Sequence, residues 1–282
     1  MNKNYYRPKT ISDAVEILNE HGSRLKMIAG CTDISVARQE KMLNCISFLD
    51  LSYIDELKGI CEADGYIHIG AMTTHRDISR SELVHKSGDV LAQAVATIGS
   101  PLIRNLATIG GNISHASPSG DSIPPLMVLN GEFCLTKTSS QRWIPATKYF
   151  TGPGKTIRAD DELLTAIRFR PTAGDYFHLW QKLGQRKALA CSKASMAFVA
   201  LLKDGVISDA RIACGAVAPT VVRCPGTQEF LEGRKLDNET VDRAVQLVMT
   251  EVKPIDDLRS TGEYRTHAVG CLLDKALRSL GG

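Results

Sequence analysis

Two short stretches of this chain set glycine beside oxygen-bearing side chains directly after apolar runs. The first is AGCTD, Ala29, Gly30, Cys31, Thr32 and Asp33; the second is TIGGN, Thr108, Ile109, Gly110, Gly111 and Asn112. Glycine costs backbone entropy, so at such points it usually serves φ > 0 or a close backbone approach. Each stretch could be an ordinary turn between buried segments. Each could instead bare its backbone N–H groups to an anion such as a phosphate. In the first, Thr32 and Asp33 add a hydroxyl and a carboxylate. In the second, polar and turn residues continue through TIGGNISHASPSGD to Asp121, which suits a sugar-hydroxyl acceptor. Two such turns in one domain suggest that both backbones approach a single ligand. A dinucleotide has that need, with a pyrophosphate wanting several N–H donors and sugars wanting carboxylate or amide partners. Neither stretch fits G-x-G-x-x-G, so the solution would differ from the Rossmann one.

Other chemistry is largely excluded. TGPGKT (151–156) fails the Walker pattern, which needs glycine where Tyr149 stands, so it reads as a plain loop. The eight cysteines are never closer than ten positions, as between Cys214 and Cys224, so no zinc or iron–sulfur ligand set is expected. They read as reduced, mostly buried thiols. No histidine is read as pairing with a second histidine or carboxylate at metal spacing, and no nucleophile signature occurs, so neither a metal site nor a catalytic residue is assigned. His115 reads as a surface histidine, and Lys182 with Arg186 as a strand edge. The net charge of +3, with 34 basic against 31 acidic residues, implies no nucleic-acid or membrane partner. MNKNYYRPKT has no apolar leader segment, and cytoplasm is the expectation.

The surrounding patterns would position these loops. Thr10 and Asp13 cap a helix over Ala14, Val15 and Leu18, and LKMIAG follows as a buried strand. CISFLDL reads as a strand, YIDELKGI as a short helix and YIHIGAM as an alternating strand. Thr74 and Asp77 cap a second helix, GDVLAQAVATIG reads as a third, and PPLMVLNG as a short one. EFCLTK, RWIP and ELLTAIRF are strands. The grammar changes at RPTAGD, giving a boundary between residues 1–172 and 173–282. Beyond it HLWQKLG, SMAFVALL and VISDARIACGAV form an antiparallel meander with a hairpin at Asp204–Gly205. Two helices follow, over NETVDRAVQLVMTEV and from a capping box at Ser260–Glu263.

Taken together, AGCTDI and ATIGGNISHASPSGDSIPPL resemble the flavin-binding region of molybdenum hydroxylases, the xanthine dehydrogenase and carbon monoxide dehydrogenase group. The likeness continues through IGAMTTHRDI, GSPLIRNLATIGGN, FTGPGKT, DELLTAIRF, KLGQR, GAVAPTVVRC and PIDDLRSTGEYR, nearly the whole chain. It implies an α+β fold: a two-lobed FAD-binding domain, then a smaller domain of antiparallel sheet packed with helices. It implies non-covalent FAD, with the pyrophosphate against Ala29 to Asp33 and Thr108 to Asn112. Ile98 would lie near the flavin, Asp121 would accept from a sugar or ribityl hydroxyl, Leu163 would pack beside the isoalloxazine, and Lys182 would lie close by. Cys31 departs from the family's small residue, so its side chain should point away from the phosphates. The implied role is an electron-transfer subunit. Partners would be a molybdopterin-binding large subunit and a [2Fe–2S] small subunit, with NAD+ as one terminal acceptor. A self-contained FAD-dependent oxidase or reductase, and a non-catalytic nucleotide-binding assembly protein, stand as alternatives.

Overall fold

Short apolar runs, too brief for helices, build the first sheet. The computed structural model describes residues 4–39, 47–172 and 174–281. Its first lobe holds β1 (Tyr5–Tyr6), α1 (Ile11–His21), β2 (Leu25–Ile28), α2 (Ile34–Gln39) and β3 (Ser47–Asp50). The strands run parallel in the order β1–β3–β2. Thr10 caps α1, accepting from the Asp13 N–H at 3.1 Å, and Ala14, Val15 and Leu18 bury against Leu25 and Leu49. The strand expected over CISFLDL is seen from Ser47; Cys45 and Ile46 lie outside the described residues. The helix expected over YIDELKGI is only a single turn, Asp55–Leu57. Gly59, at φ 101°, ends it, and the next residues pair as a strand.

The second lobe packs helices on one face of an antiparallel sheet. It comprises β4 (Ile60–Ala63), β5 (Tyr66–Gly70), α3 (His75–Arg80), α4 (Glu82–Ala96), α5 (Pro101–Leu106), α6 (Ile109–His115) and α7 (Ile123–Val128). It continues with β6 (Glu132–Lys137), β7 (Ser140–Pro145), α8 (Ala146–Tyr149), β8 (Phe150–Gly152), β9 (Lys155–Thr156) and β10 (Leu163–Phe169). The main sheet has the order β4–β5–β10–β6–β7. Strand alternation turns Ile67, Ile69, Phe133, Leu135, Ile167 and Phe169 inward, where α4 and α7 supply Val90, Leu91, Val95, Leu126 and Val128. Helix α4 starts six residues before the expected segment and kinks at Gly88, where a Cβ would meet the Phe169 ring at 2.7 Å.

The remaining elements are β11 (Phe177–Gly184), β12 (Ser192–Lys203), β13 (Val206–Gly215), β14 (Val222–Arg223), α9 (Pro225–Leu231), α10 (Asn238–Thr250) and α11 (Gly262–Leu280). The four strands form an antiparallel meander. Asp204 and Gly205 both take positive φ, 51° and 74°, as a tight two-residue hairpin requires. One face of this sheet buries Met196, Phe198 and Ile212 under α10 and α11. The other turns Trp180, Ala197, Val199 and Ala213 into the core of the second lobe. Helix α11 is capped by Thr261, one residue later than expected. The cysteines are less buried than expected: of seven described, all free, only Cys134, Cys214 and Cys224 are buried.

Candidate cofactor site

The first loop leaves β2 and enters α2, with Cys31 in the left-handed region at φ 58°. Among the described residues, the N–H groups of Gly30, Cys31, Thr32 and Asp33 meet no acceptor. These four residues are partly exposed to exposed, and a run of free N–H groups leading into a helix suits an anion. The Cys31 thiol turns back onto its own loop, 3.5 Å from the Ala29 carbonyl oxygen. Gly30 is required for a separate reason. A Cβ there would collide with the Leu106 carbonyl oxygen, so the loop rides directly on the end of α5.

The double glycine is not a turn. Thr108 caps α6 by accepting from the Gly111 N–H at 3.1 Å, and both glycines lie in the helix's first turn. The neighbouring donors are also spent: Ile109 N–H goes to Thr73, Gly110 N–H to Ala71 and Asn112 N–H to Thr108. Gly110 is a packing residue, since its Cβ would stand 2.6 Å from the Ala71 carbonyl oxygen. Gly111 faces open space, with only Thr108 Oγ1 within reach at 3.0 Å. The two loops therefore differ. The first offers free donors, and the second offers a bare surface at Gly111.

A closed circuit of contacts brings most of the candidate residues together. From Gly30 against α5, it runs to Arg104, which donates to the Ile98 carbonyl at 2.8 Å. Beside Ile98, Thr97 accepts from the Trp180 indole at 3.1 Å. Two residues along β11, Lys182 Nζ donates to Asp121 Oδ2 at 2.6 Å, and Ser192 donates to Asp121 Oδ1 at 2.7 Å. Next to Asp121, Ser122 donates to Asn112 on α6 at 2.7 Å. At the far end of α6, His115 Nδ1 lies 2.9 Å from Asp33 Oδ2, back at the first loop. Leu163 is the exception. Its side chain is 1% exposed and packed in the core with α1, so it is not free to lie against a ring.

Electrostatics follow from these pairings. Asp121 is buried, and desolvation raises its pKa, while Lys182 and Ser192 oppose the rise. The hydrogen bond between Asp33 and His115 lowers the carboxyl and raises the imidazole, so the contact carries both charges in mildly acidic solution. Both side chains are about half exposed, and the pair links the loop to α6 without holding it rigidly. His115 is thus part of the circuit and not a lone surface histidine. Sequence reasoning missed His75. It opens α3 at 1% exposure, its Nδ1 finds no partner, and burial with the Arg104 charge pushes its pKa down to about 4. Its position within IGAMTTHRDI was the only available signal. Among the described residues no group of three or more potential metal ligands occurs, and no helix is long and apolar enough to cross a membrane.

Residues 1–172 match the model of the FAD binding domain in molybdopterin dehydrogenase, and residues 181–280 match the CO dehydrogenase flavoprotein C-terminal domain. The carbon monoxide dehydrogenase medium chain of Hydrogenophaga pseudoflava is 30% identical, the alignment covering 98% of this chain and 96% of that one. The xanthine dehydrogenase FAD-binding subunit of Escherichia coli O157:H7 is 29% identical, covering 97% and 94%. A solved structure of the Hydrogenophaga pseudoflava carbon monoxide dehydrogenase superposes with a TM-score of 0.95, covering 99% of this chain and 96% of that one, at 29% identity.

Proposed function

The chain belongs to the family of FAD-binding subunits of molybdenum hydroxylases, and from that premise we propose how it works within such an enzyme. It is an oxidoreductase subunit that binds FAD. The row of free N–H groups from Gly30 to Asp33, riding on α5, carries the reading of where. Those groups would hold the pyrophosphate, and Gly111 would let it approach α6 closely. Thr108, Ile109, Gly110 and Asn112 would act by fixing that surface, since the Thr108 hydroxyl caps the helix and the N–H groups of the other three are already engaged.

Asp121 and Lys182 would sit at the flavin end, where their buried pair fixes β11 against the loop before α7. Ile98 would border the ring. Leu163 could contribute only its main chain. When bound, the flavin supplies a redox centre able to accept electrons from a partner's iron–sulfur centres and deliver them to NAD+ or another acceptor. This chain's residues bind and orient it, and no acid, base or nucleophile is assigned to them. The partners would be a molybdopterin-binding large subunit and a [2Fe–2S] small subunit. The substrate class oxidised there would be a purine or other N-heterocycle, and the assembly would be cytoplasmic.

Co-purification from the native source, with metal and flavin analysis, tests this reading. Iron, molybdenum and FAD should travel together with the chain, and acid precipitation should release all yellow colour to the supernatant. A chain that always purifies free of both metals, or flavin retained on the denatured protein, would contradict it.

A further inference from the structure

Two thiols that the flavoprotein reading does not use meet inside the C-terminal sheet. Cys214 lies on β13 and Cys224 follows β14; their sulfurs are 3.8 Å apart, and both side chains are 0% exposed. The strand register brings them together. Cys214 stands opposite Val222, and the Cys224 N–H donates to the Ile212 carbonyl at 3.2 Å, so the two cysteines are diagonal neighbours on one face. Cys224 heads α9, yet its thiol caps nothing there. Glu251 does that instead, accepting from the Gly226 and Thr227 N–H groups at 2.8 and 2.9 Å.

The segment between them, 215–223, bridges the C-terminal sheet and the second lobe. The Ala216 N–H donates to the Pro118 carbonyl at 2.7 Å, in the stretch leading to Asp121. The Ala216 carbonyl accepts from the buried Arg265 of α11 at 2.8 Å. Arg223, beside Cys224, donates to the Met127 carbonyl on α7 at 2.7 Å.

We propose that Cys214 and Cys224 form a dithiol clasp, closed to a disulfide by peroxide, that fixes this bridging segment in place. Peroxide oxidises one thiol to a sulfenic acid and releases one water. The other thiol then displaces the sulfenic oxygen as a second water. Two thiols and one hydrogen peroxide thus give one disulfide and two waters, the sulfurs losing two electrons to the O–O bond. The sulfurs must close by about 1.8 Å to reach disulfide length. The closed core resists that step. The hydrogen bond with Cys224, and burial, push the Cys214 thiol well above its ordinary range, and such thiols are inert. Reaction therefore runs through local opening, and the site suits it. Strand β14 has two residues, stands at the edge of the sheet and leads into a helix of only seven.

The test uses the 282-residue chain, alkylated briefly while folded to block the exposed Cys61, Cys191 and Cys271, then treated with hydrogen peroxide. Trypsin cuts after Arg211, Arg223 and Arg234, so the disulfide would join peptides 212–223 and 224–234. The linked pair should appear in the wild type, separate with dithiothreitol, and be missing from Cys224→Ala. Cross-linking the eleven residues from Cys214 to Cys224 should raise the unfolding midpoint by about 5 °C, reversibly with dithiothreitol. Thiols that stay free or oxidise singly in the wild type would overturn the clasp. So would a linked pair with no rise in the midpoint.

Discussion

Gly110 and Gly111 are adjacent yet do different things, and the difference can be measured. Gly110→Ala drives a methyl into Ala71, whose carbonyl oxygen and Cβ would stand 2.6 and 2.7 Å away. Overpacking of that kind costs about 1–3 kcal/mol, so the unfolding midpoint of the apo chain should fall. Gly111→Ala meets only the Thr108 hydroxyl and replaces glycine within a helical turn, a change worth up to about 1 kcal/mol in helix propensity. The chain should stay folded while its FAD affinity drops at least about tenfold, the equivalent of roughly 1.4 kcal/mol. Wild-type FAD affinity in Gly111→Ala would show that no ligand approaches that surface. Both glycines were visible in the sequence as sites of close approach. Their separate duties were not, because which atom a missing Cβ would strike depends on β5 and its continuation, some forty residues away in sequence.

Among elements, the buried pair of Asp121 and Lys182 is the polar link between the loop preceding α7 and the edge strand β11. Removing one partner of a buried pair leaves an uncompensated group and typically costs about 3–5 kcal/mol. Asp121→Asn and Lys182→Met should each lower stability in urea unfolding, and the double variant should lose much less than their sum. Additive, small losses would mean the pair is incidental to docking the sheet. The sequence made the long elements legible: β10 to β13, the Asp204–Gly205 hairpin, α10, and the caps at Thr10 and Thr74. It hid α2, α5 and α6, which have only six or seven residues. Helices that short do not pay for their own nucleation and exist through tertiary contacts, such as Gly110 on Ala71 and Gly30 on Leu106. For the same reason TIGGN reads as a turn in sequence and is a helix start in the fold. Leu163 shows a different limit. Its strand was plain, but only the packing of α1 across the sheet reveals which neighbours its side chain takes.

At the scale of the whole molecule, the chain divides its labour between binding and presentation. Two lobes meet at Gly30 and the end of α5, and the four-stranded sheet closes against the second lobe through Trp180 and Lys182. Nothing in the circuit around α5 and α6 is arranged as a nucleophile with its base. His75, the most buried titratable group there, is held neutral with a pKa near 4 and is shut away from solvent. On the proposed reading, the chain orients a cofactor for electrons that arrive from elsewhere. The most direct measurement is an anaerobic mixing experiment with the purified, FAD-loaded chain, free of molybdenum and iron, and xanthine or another N-heterocycle. The yellow flavin absorbance should persist, and should bleach only when molybdenum and iron–sulfur subunits are added. Bleaching by the heterocycle with this chain alone would contradict the account and establish a self-contained flavoenzyme.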